Sequence, residues 1–176
     1  ALSREPRLMD LNQSVRDVEK MLRRIVGEDV NLVVELAPEI EPIFADPAHV
    51  EQVIINLAVN AREAMGRGGT LTVRSEWLAA QASPLDTKAA ALRVMDTGEG
   101  MDEETRRRAQ EPFFTTKARP AGVGLGLPTV RDIVRRCRGT VAIDSARGRG
   151  TCVSVYFPAA VPISAWNSGR SSTWRK

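Results

Sequence analysis

The chain has 176 residues, 43% of them hydrophobic and 27% charged, a length and balance that suit one soluble globular domain with a core that needs no disulfide or metal staples. No run approaches the ~18 apolar residues of a membrane span, and the start, Ala1 to Pro6, lacks the apolar centre of a signal peptide. The formal net charge of +3 is matched by Arg170, Arg175 and Lys176 in an acid-free tail; the body is neutral, which argues against a nucleic-acid partner.

In chain order, Leu11 to Val26 places Leu11, Val15, Val18, Leu22 and Ile25 on one helical face. Asn12 or Ser14 is expected to cap this helix and Gly27 to stop it. The valine-rich Asn31 to Leu36 predicts a strand, with a shorter one at Ile43 to Ala45. Asp46 before Pro47 predicts the cap and first turn of a second helix reaching about Met65. Along it Val50, Val53, Ile54, Leu57, Ala61 and Ala64 share one side, and Gln52, Asn56, Asn60 and Glu63 share another.

After the breakers Gly66, Gly68 and Gly69, the stretch Thr70 to Trp77 alternates as a strand, residues 79–88 form a hairpin loop, and Ala91 to Met95 returns. A short helix over Glu103 to Ala109 follows, then an amphipathic helix marked by Val130, Ile133, Val134 and Cys137. Strands Thr140–Ile143 and Cys152–Phe157, joined by the turn Arg147 to Gly150, complete the pattern. Without regular βαβ alternation the expected class is α+β, one mixed sheet with helices on one face. Residues 159–176 carry two of the three tryptophans and no periodicity, and read as a disordered tail, a linker, or a remnant foreign to the domain. Cys137 and Cys152 have no CxxC spacing, and with the lone His49 they build no zinc site. They are expected to be reduced thiols of a cytoplasmic protein.

Four short blocks carry the chemistry: Asn56-Leu57-Ala58-Val59-Asn60-Ala61, Asp96-Thr97-Gly98-Glu99-Gly100, Pro112-Phe113-Phe114-Thr115-Thr116-Lys117 and Gly122-Val123-Gly124-Leu125-Gly126-Leu127. A glycine series that opens a helix offers bare backbone and a positive helix end to phosphate. It lacks the Gly-Lys-Ser/Thr ending of a P-loop and the preceding strand of a dinucleotide fold; alone it reads equally as a surface loop. Asp96 closes an apolar strand ahead of two spaced glycines, which sets a carboxylate at a pocket wall; alone it is equally a turn aspartate. Asparagine is an unfavourable helix residue, so its recurrence on one face points to a ligand.

Together and in this order, the blocks resemble the N, G1, F and G2 boxes of the catalytic, ATP-binding domain of bacterial sensor histidine kinases, within the wider ATPase family of gyrase, Hsp90 and MutL. The resemblance implies a two-layer α/β sandwich, the Bergerat fold, with about five mostly antiparallel strands packed on three helices. It would occupy residues 11–158, with 1–10 a linker from a missing dimerisation and phosphoacceptor hairpin.

The resemblance also implies ATP and Mg2+ as cofactors. Asp96 would accept a hydrogen bond from the adenine amino group, a charged acceptor contributing about 1.5–3 kcal/mol. Gly98 and Gly100 would leave room for the ring, with Met101 beside it. Asn60 would ligate the metal through its side-chain oxygen, one amide being enough for an ion that keeps waters, and Asn56 would face the same pocket. Arg62 would reach the phosphates; Glu63, a departure from the common lysine, would support them. Residues 101–121 would form a lid in which Phe113 and Phe114 are anchors or ordinary core, Thr115 and Thr116 lie at the nucleotide, and Lys117 neutralises phosphate charge. The phosphates would rest on Gly122, Val123, Gly124, Leu125, Gly126 and Leu127. Gly148, Gly150 and Thr151 match the last turn of the family, mainly structural, with Thr151 beside the nucleotide. Asn56, Asn60 and Lys117 would carry the catalysis.

In the hydrolytic relatives a glutamate that activates water stands where Asn56 stands here, and an amide cannot take a proton. Phosphoryl transfer is therefore expected over hydrolysis. His49 lacks the setting of a phosphoacceptor, so the accepting histidine is expected on a separate hairpin, with relay to an aspartate of a response regulator receiver domain. A cyclic dinucleotide is a further candidate regulator, without an assignable site, and the chain is expected to be monomeric. An anti-sigma-factor-like serine kinase and a degenerate nucleotide-sensing or docking module remain as alternatives.

Overall fold

The computed structural model describes residues 5–109, 111 and 126–160. They form β1 (Arg7–Met9), α1 (Leu11–Val26), β2 (Val30–Glu35), β3 (Ile43–Ala45), α2 (Pro47–Ala64), β4 (Gly69–Leu78), β5 (Ala89–Asp96), α3 (Glu103–Arg108), α4 (Gly126–Arg136), β6 (Thr140–Ala146) and β7 (Gly150–Pro158). A 3-10 turn, Ala80–Ala82, lies in the expected hairpin loop. No helix among the described residues is long and apolar enough to cross a membrane.

Five strands make one sheet in the order β2-β4-β5-β7-β6; β2 and β4 run parallel and the other neighbours antiparallel. Helices α1, α2 and α4 form the second layer, α1 against α2 and α2 against α4, as the α+β reading expected. Strand alternation sends Leu71, Val73, Leu92, Val94, Val153 and Val155 toward Leu11, Leu22, Val50, Ile54 and Leu57 of the helices, and these close the core. The opposite face is polar. There Arg74 Nε donates to Glu35 Oε2 at 2.6 Å, Arg93 Nε to Glu76 Oε2 at 2.9 Å, and Arg93 Nη1 to Ser154 Oγ at 3.1 Å.

The first helix is capped differently from the expectation. Asp10 Oδ1, not Asn12 or Ser14, accepts the Asn12 N–H at 2.8 Å. Asn12 is buried instead: its Nδ2 donates to the Ala37 carbonyl at 2.8 Å and its Oδ1 accepts from Ser75 Oγ at 2.6 Å, while the same hydroxyl accepts the Ala37 N–H at 3.0 Å. Three polar groups from α1, a loop and β4 thus satisfy one another beneath the helix layer. Ser75→Ala strands the Ala37 N–H and the Asn12 oxygen. It is expected to lower stability by about 1–3 kcal/mol, read as a lower urea midpoint at unchanged slope; an unmoved midpoint would contradict this role.

Backbone pairing extends beyond residues 11–158 at both ends. Arg7–Met9, placed by the sequence in a linker, pairs antiparallel with Ile43–Ala45. Ala159 bridges Ile43, and Ala160 donates its N–H to the Pro42 carbonyl at 3.0 Å. Three residues are too few to show a strand period, so Arg7–Met9 leaves no pattern in the sequence, while its partner Ile43–Ala45 is the short strand expected there. Asp46 caps α2 as expected, its Oδ1 accepting from Ala48 N at 2.9 Å.

Candidate functional site

Alternation along β5 places Ala90, Leu92, Val94 and finally Asp96 on the helix-facing side. The strand ends there, so the carboxylate meets the end of α2 where the aliphatic core stops. Asp96 Oδ1 accepts two backbone N–H groups, Gly98 at 2.8 Å and Thr151 at 3.3 Å. Oδ2 has no hydrogen bond to any described residue. Burial raises the carboxyl above its ordinary pKa, and the two N–H bonds oppose that shift.

The turn after Asp96 is pinned to α2. Glu99 N–H bonds the Ala64 carbonyl at 3.1 Å, and a Cβ on Gly98 would stand 2.6 Å from the same oxygen. Only glycine permits that approach. Gly100 takes a φ of 66°, a left-handed turn that leads to Met101, partly buried against the core.

On α2, Asn56 and Asn60 are half-buried, and neither carboxamide makes a hydrogen bond with another described residue. Glu63 is exposed on the same side. The N-terminus of α4 comes directly to Asn60: a Cβ on Gly126 would lie 2.9 Å from Asn60 Oδ1. Leu127 packs behind it on the core. Ala64 at the Asp96 turn and Asn60 at α4 are four residues apart, about 6 Å along the helix. A carboxylate at one end and an amide beside a helix N-terminus at the other suit a ligand with a donor-bearing ring and a polyanionic arm.

Arg62 is not brought to this arm. Its Nη2 pairs with Asp29 Oδ2 at 3.1 Å and its Nη1 donates to the Met65 carbonyl at 3.2 Å. Two residues beyond Asn60 is about 200° around the helix, so Arg62 faces away from Asn60. Phe113, Phe114, Thr115, Thr116, Lys117, Gly122, Val123, Gly124 and Leu125 lie outside the described residues.

The sequence reading missed Ser145. The register Ser145↔Thr151↔Asp96 sets three polar residues in a row across β6, β7 and β5. Ser145 Oγ accepts the Met101 N–H at 2.8 Å, lies 2.9 Å from Thr151 Oγ1, and donates to the Gly150 carbonyl at 3.0 Å. One hydroxyl therefore ties Met101 to β7, whose Thr151 N–H in turn bonds Asp96. The tight turn at Arg147 to Gly150 was the signal, since it sets Ser145 opposite Thr151.

These donors fit the expected cofactors. The free Asp96 Oδ2 suits an amino group, and the bare backbone at Gly98 and Gly126 leaves space that a Cβ would fill. No cluster of three His, Cys, Asp or Glu side chains that could cage a metal occurs among the described residues. A single amide oxygen on Asn60 suits a magnesium ion held mainly by phosphate and water.

Residues 45–161 match the family described as histidine kinase-, DNA gyrase B- and HSP90-like ATPase. Over 163 residues the chain is 36% identical to the sensor kinase CckA of Brucella abortus (strain 2308), covering 89% of this chain and 17% of that protein. Sporulation kinase E of Bacillus subtilis (strain 168) is 32% identical over 84% of this chain and 19% of its own length. The chain thus spans less than a fifth of either relative. Among solved structures, the catalytic domain of the histidine kinase ThkA superposes with a TM-score of 0.70 at 28% identity, covering 88% of this chain and 96% of that one. The mycobacterial sensor histidine kinase MprB shares the fold, with a TM-score of 0.70 at 24% identity over 87% of this chain and 97% of its own. The chain belongs to the histidine kinase-, DNA gyrase B- and HSP90-like ATPase family, as a catalytic ATP-binding domain of the sensor histidine kinase kind.

Proposed function

We propose that the chain binds Mg-ATP and presents its γ-phosphate to a histidine on a dimeric helical hairpin outside this chain, for relay to a response regulator receiver domain. The observation that carries this reading is the pairing of a half-free Asp96 carboxylate with Asn60 against the N-terminus of α4. Asp96 Oδ2 accepts from the adenine amino group, and the two N–H bonds on Oδ1 hold the carboxylate in place. Asn60 offers its oxygen to the magnesium ion, which supplies charge neutralisation at the phosphates when bound. Met101 and Leu127 flank the ring, with Ser145 and Thr151 fixing the strand ends. Lys117 and the Gly122–Gly126 turn complete the phosphate contacts by family resemblance. Asn56 cannot take a proton from water, which favours transfer to the imidazole with ADP leaving. Positioning and charge neutralisation do most of the work. We place the protein in the cytoplasm, where ATP is available and where the free thiols of Cys137 and Cys152 stay reduced.

The test is phosphoryl transfer in trans, with labelled ATP, this chain, and a separate hairpin polypeptide carrying the acceptor histidine. Acid-labile label on the hairpin, dependent on this chain and on magnesium, is expected. Acid-stable label on a serine of an added partner would establish the serine-kinase alternative instead, and nucleotide binding with no transfer to either would leave a sensing or docking module. Repeating the assay with a cyclic dinucleotide tests the candidate regulator: a changed rate of label transfer is expected of a regulated domain.

A further inference from the structure

The Asp96 carboxylate is aimed by two backbone N–H groups that come from different segments. The Gly98 N–H belongs to the turn that follows β5, and the Thr151 N–H belongs to β7. Both bond Oδ1, so a shift of either donor swings Oδ2 to a new direction. What holds the two donors in one frame therefore decides where the free oxygen points.

Strand β6 supplies that frame through Ser145. A serine hydroxyl has one proton to give and two lone pairs to accept with. Ser145 uses all three: its Oγ donates to the Gly150 carbonyl at 3.0 Å, accepts the Met101 N–H at 2.8 Å, and lies 2.9 Å from Thr151 Oγ1. With its own proton on Gly150, it accepts from the Thr151 hydroxyl. Nothing remains for a ligand, so Ser145 acts only through the groups it holds. Gly150 and Thr151 are the β7 side of the Asp96 clamp, and Met101 closes the turn that Gly98 begins.

The turn is fastened independently of this hydroxyl as well. The Gly148 N–H donates to the Glu99 carbonyl at 2.7 Å, Arg147 Nη2 pairs with Asp102 Oδ2 at 2.8 Å, and the Glu99 N–H bonds the Ala64 carbonyl of α2. A Cβ on Gly100 would strike the Ala146 carbonyl, so the turn lies close against the β6–β7 hairpin. These ties keep the turn in place when the Ser145 hydroxyl is removed. What is lost is the link between the two donors.

We propose that Ser145 is a positioning residue for base discrimination, joining the Gly98 turn to β7 so that the free oxygen of Asp96 is held on an exocyclic amino group. The inference rests on the Mg-ATP reading and adds to it a residue that touches no ligand. A hydrogen bond weakens steeply off line, so a loosened carboxylate attracts an amino group less. The same looseness lets it turn away from a carbonyl that would otherwise repel it. Discrimination falls from both sides.

The test compares calorimetric affinities for ADP and IDP in the presence of magnesium. The two bases differ at ring position 6, an amino donor against a carbonyl acceptor. The unmodified chain is expected to prefer ADP by about ten-fold or more, and Ser145→Ala to lower that ratio by about three-fold or more, within the range of one hydrogen bond. Ser145→Thr, which keeps the hydroxyl, should hold the ratio within about two-fold. A loss of folded protein lowers both apparent affinities by the same factor and leaves the ratio unmoved. An unmoved ratio in Ser145→Ala, or an equal fall in Ser145→Thr, overturns the inference and leaves the nucleotide site standing. An unmodified chain that binds neither nucleotide, or both equally, overturns the adenine reading itself and the inference with it.

Discussion

Asp96→Asn is expected to weaken binding of a non-hydrolysable ATP analogue by ten-fold or more, corresponding to about 1.4 kcal/mol, in a calorimetric titration with magnesium. The amide can still accept the Gly98 and Thr151 N–H bonds that now fall on Oδ1. Its NH2 must then stand where the free Oδ2 was, a donor facing the donor of the adenine amino group, and the charge is gone. Affinity of the unmodified chain should also fall as the pH is lowered, starting above the range of an ordinary carboxylate, because burial has raised the Asp96 carboxyl; Asp96→Asn should lack that component.

The stability effect has the opposite sign. A carboxyl that holds its proton more tightly in the folded than in the unfolded chain loses folding stability as pH rises through the window between its two pKa values. Removing its charge should leave the nucleotide-free variant no less stable at neutral pH. Unchanged affinity in a well-folded variant would refute the adenine contact, whereas lost affinity together with lost stability would show a structural role only.

Asn60→Ala is expected to abolish the gain in analogue affinity that magnesium gives the unmodified chain, and to leave magnesium-free binding within about two-fold, as for a side chain that touches only the metal-bound arm. The half-buried Asn60 makes no hydrogen bond to a described residue, and alanine is the better helix former by roughly half a kcal/mol, so the fold should tolerate the change. Titrations of the variant with and without magnesium should coincide. A magnesium dependence equal to that of the unmodified chain would move the metal contact elsewhere.

Much of this site was legible in the residues because its chemistry is local. Asn56 and Asn60 share a helix face by arithmetic, and Asp96 ends an apolar strand that must stop where its carboxylate begins. Asp46 and Pro47 announce α2, and the alternations of β4, β5 and β7 follow from a sheet with one face buried. Arg62 misled because a family position was taken as a direction: two residues past Asn60 carries the guanidinium round the helix to Asp29. The cap of α1 misled for a related reason, since Asn12 has the chemistry of a cap but is used, buried, to satisfy Ser75 and Ala37.

The sequence by itself determined the element types, the one-sided burial of the helices and the identity of the groups that can meet a nucleotide, because periodicity and block spacing are properties of neighbours along the chain. The tertiary structure decided the rest. It set Thr151 beside Asp96 and Ser145 beside Met101, brought Gly126 against Asn60, and drew Arg7–Met9 and Ala159 onto the short strand at Ile43. Each of these contacts joins residues far apart in sequence, and strand register and helix packing alone fix which of the distant partners meet.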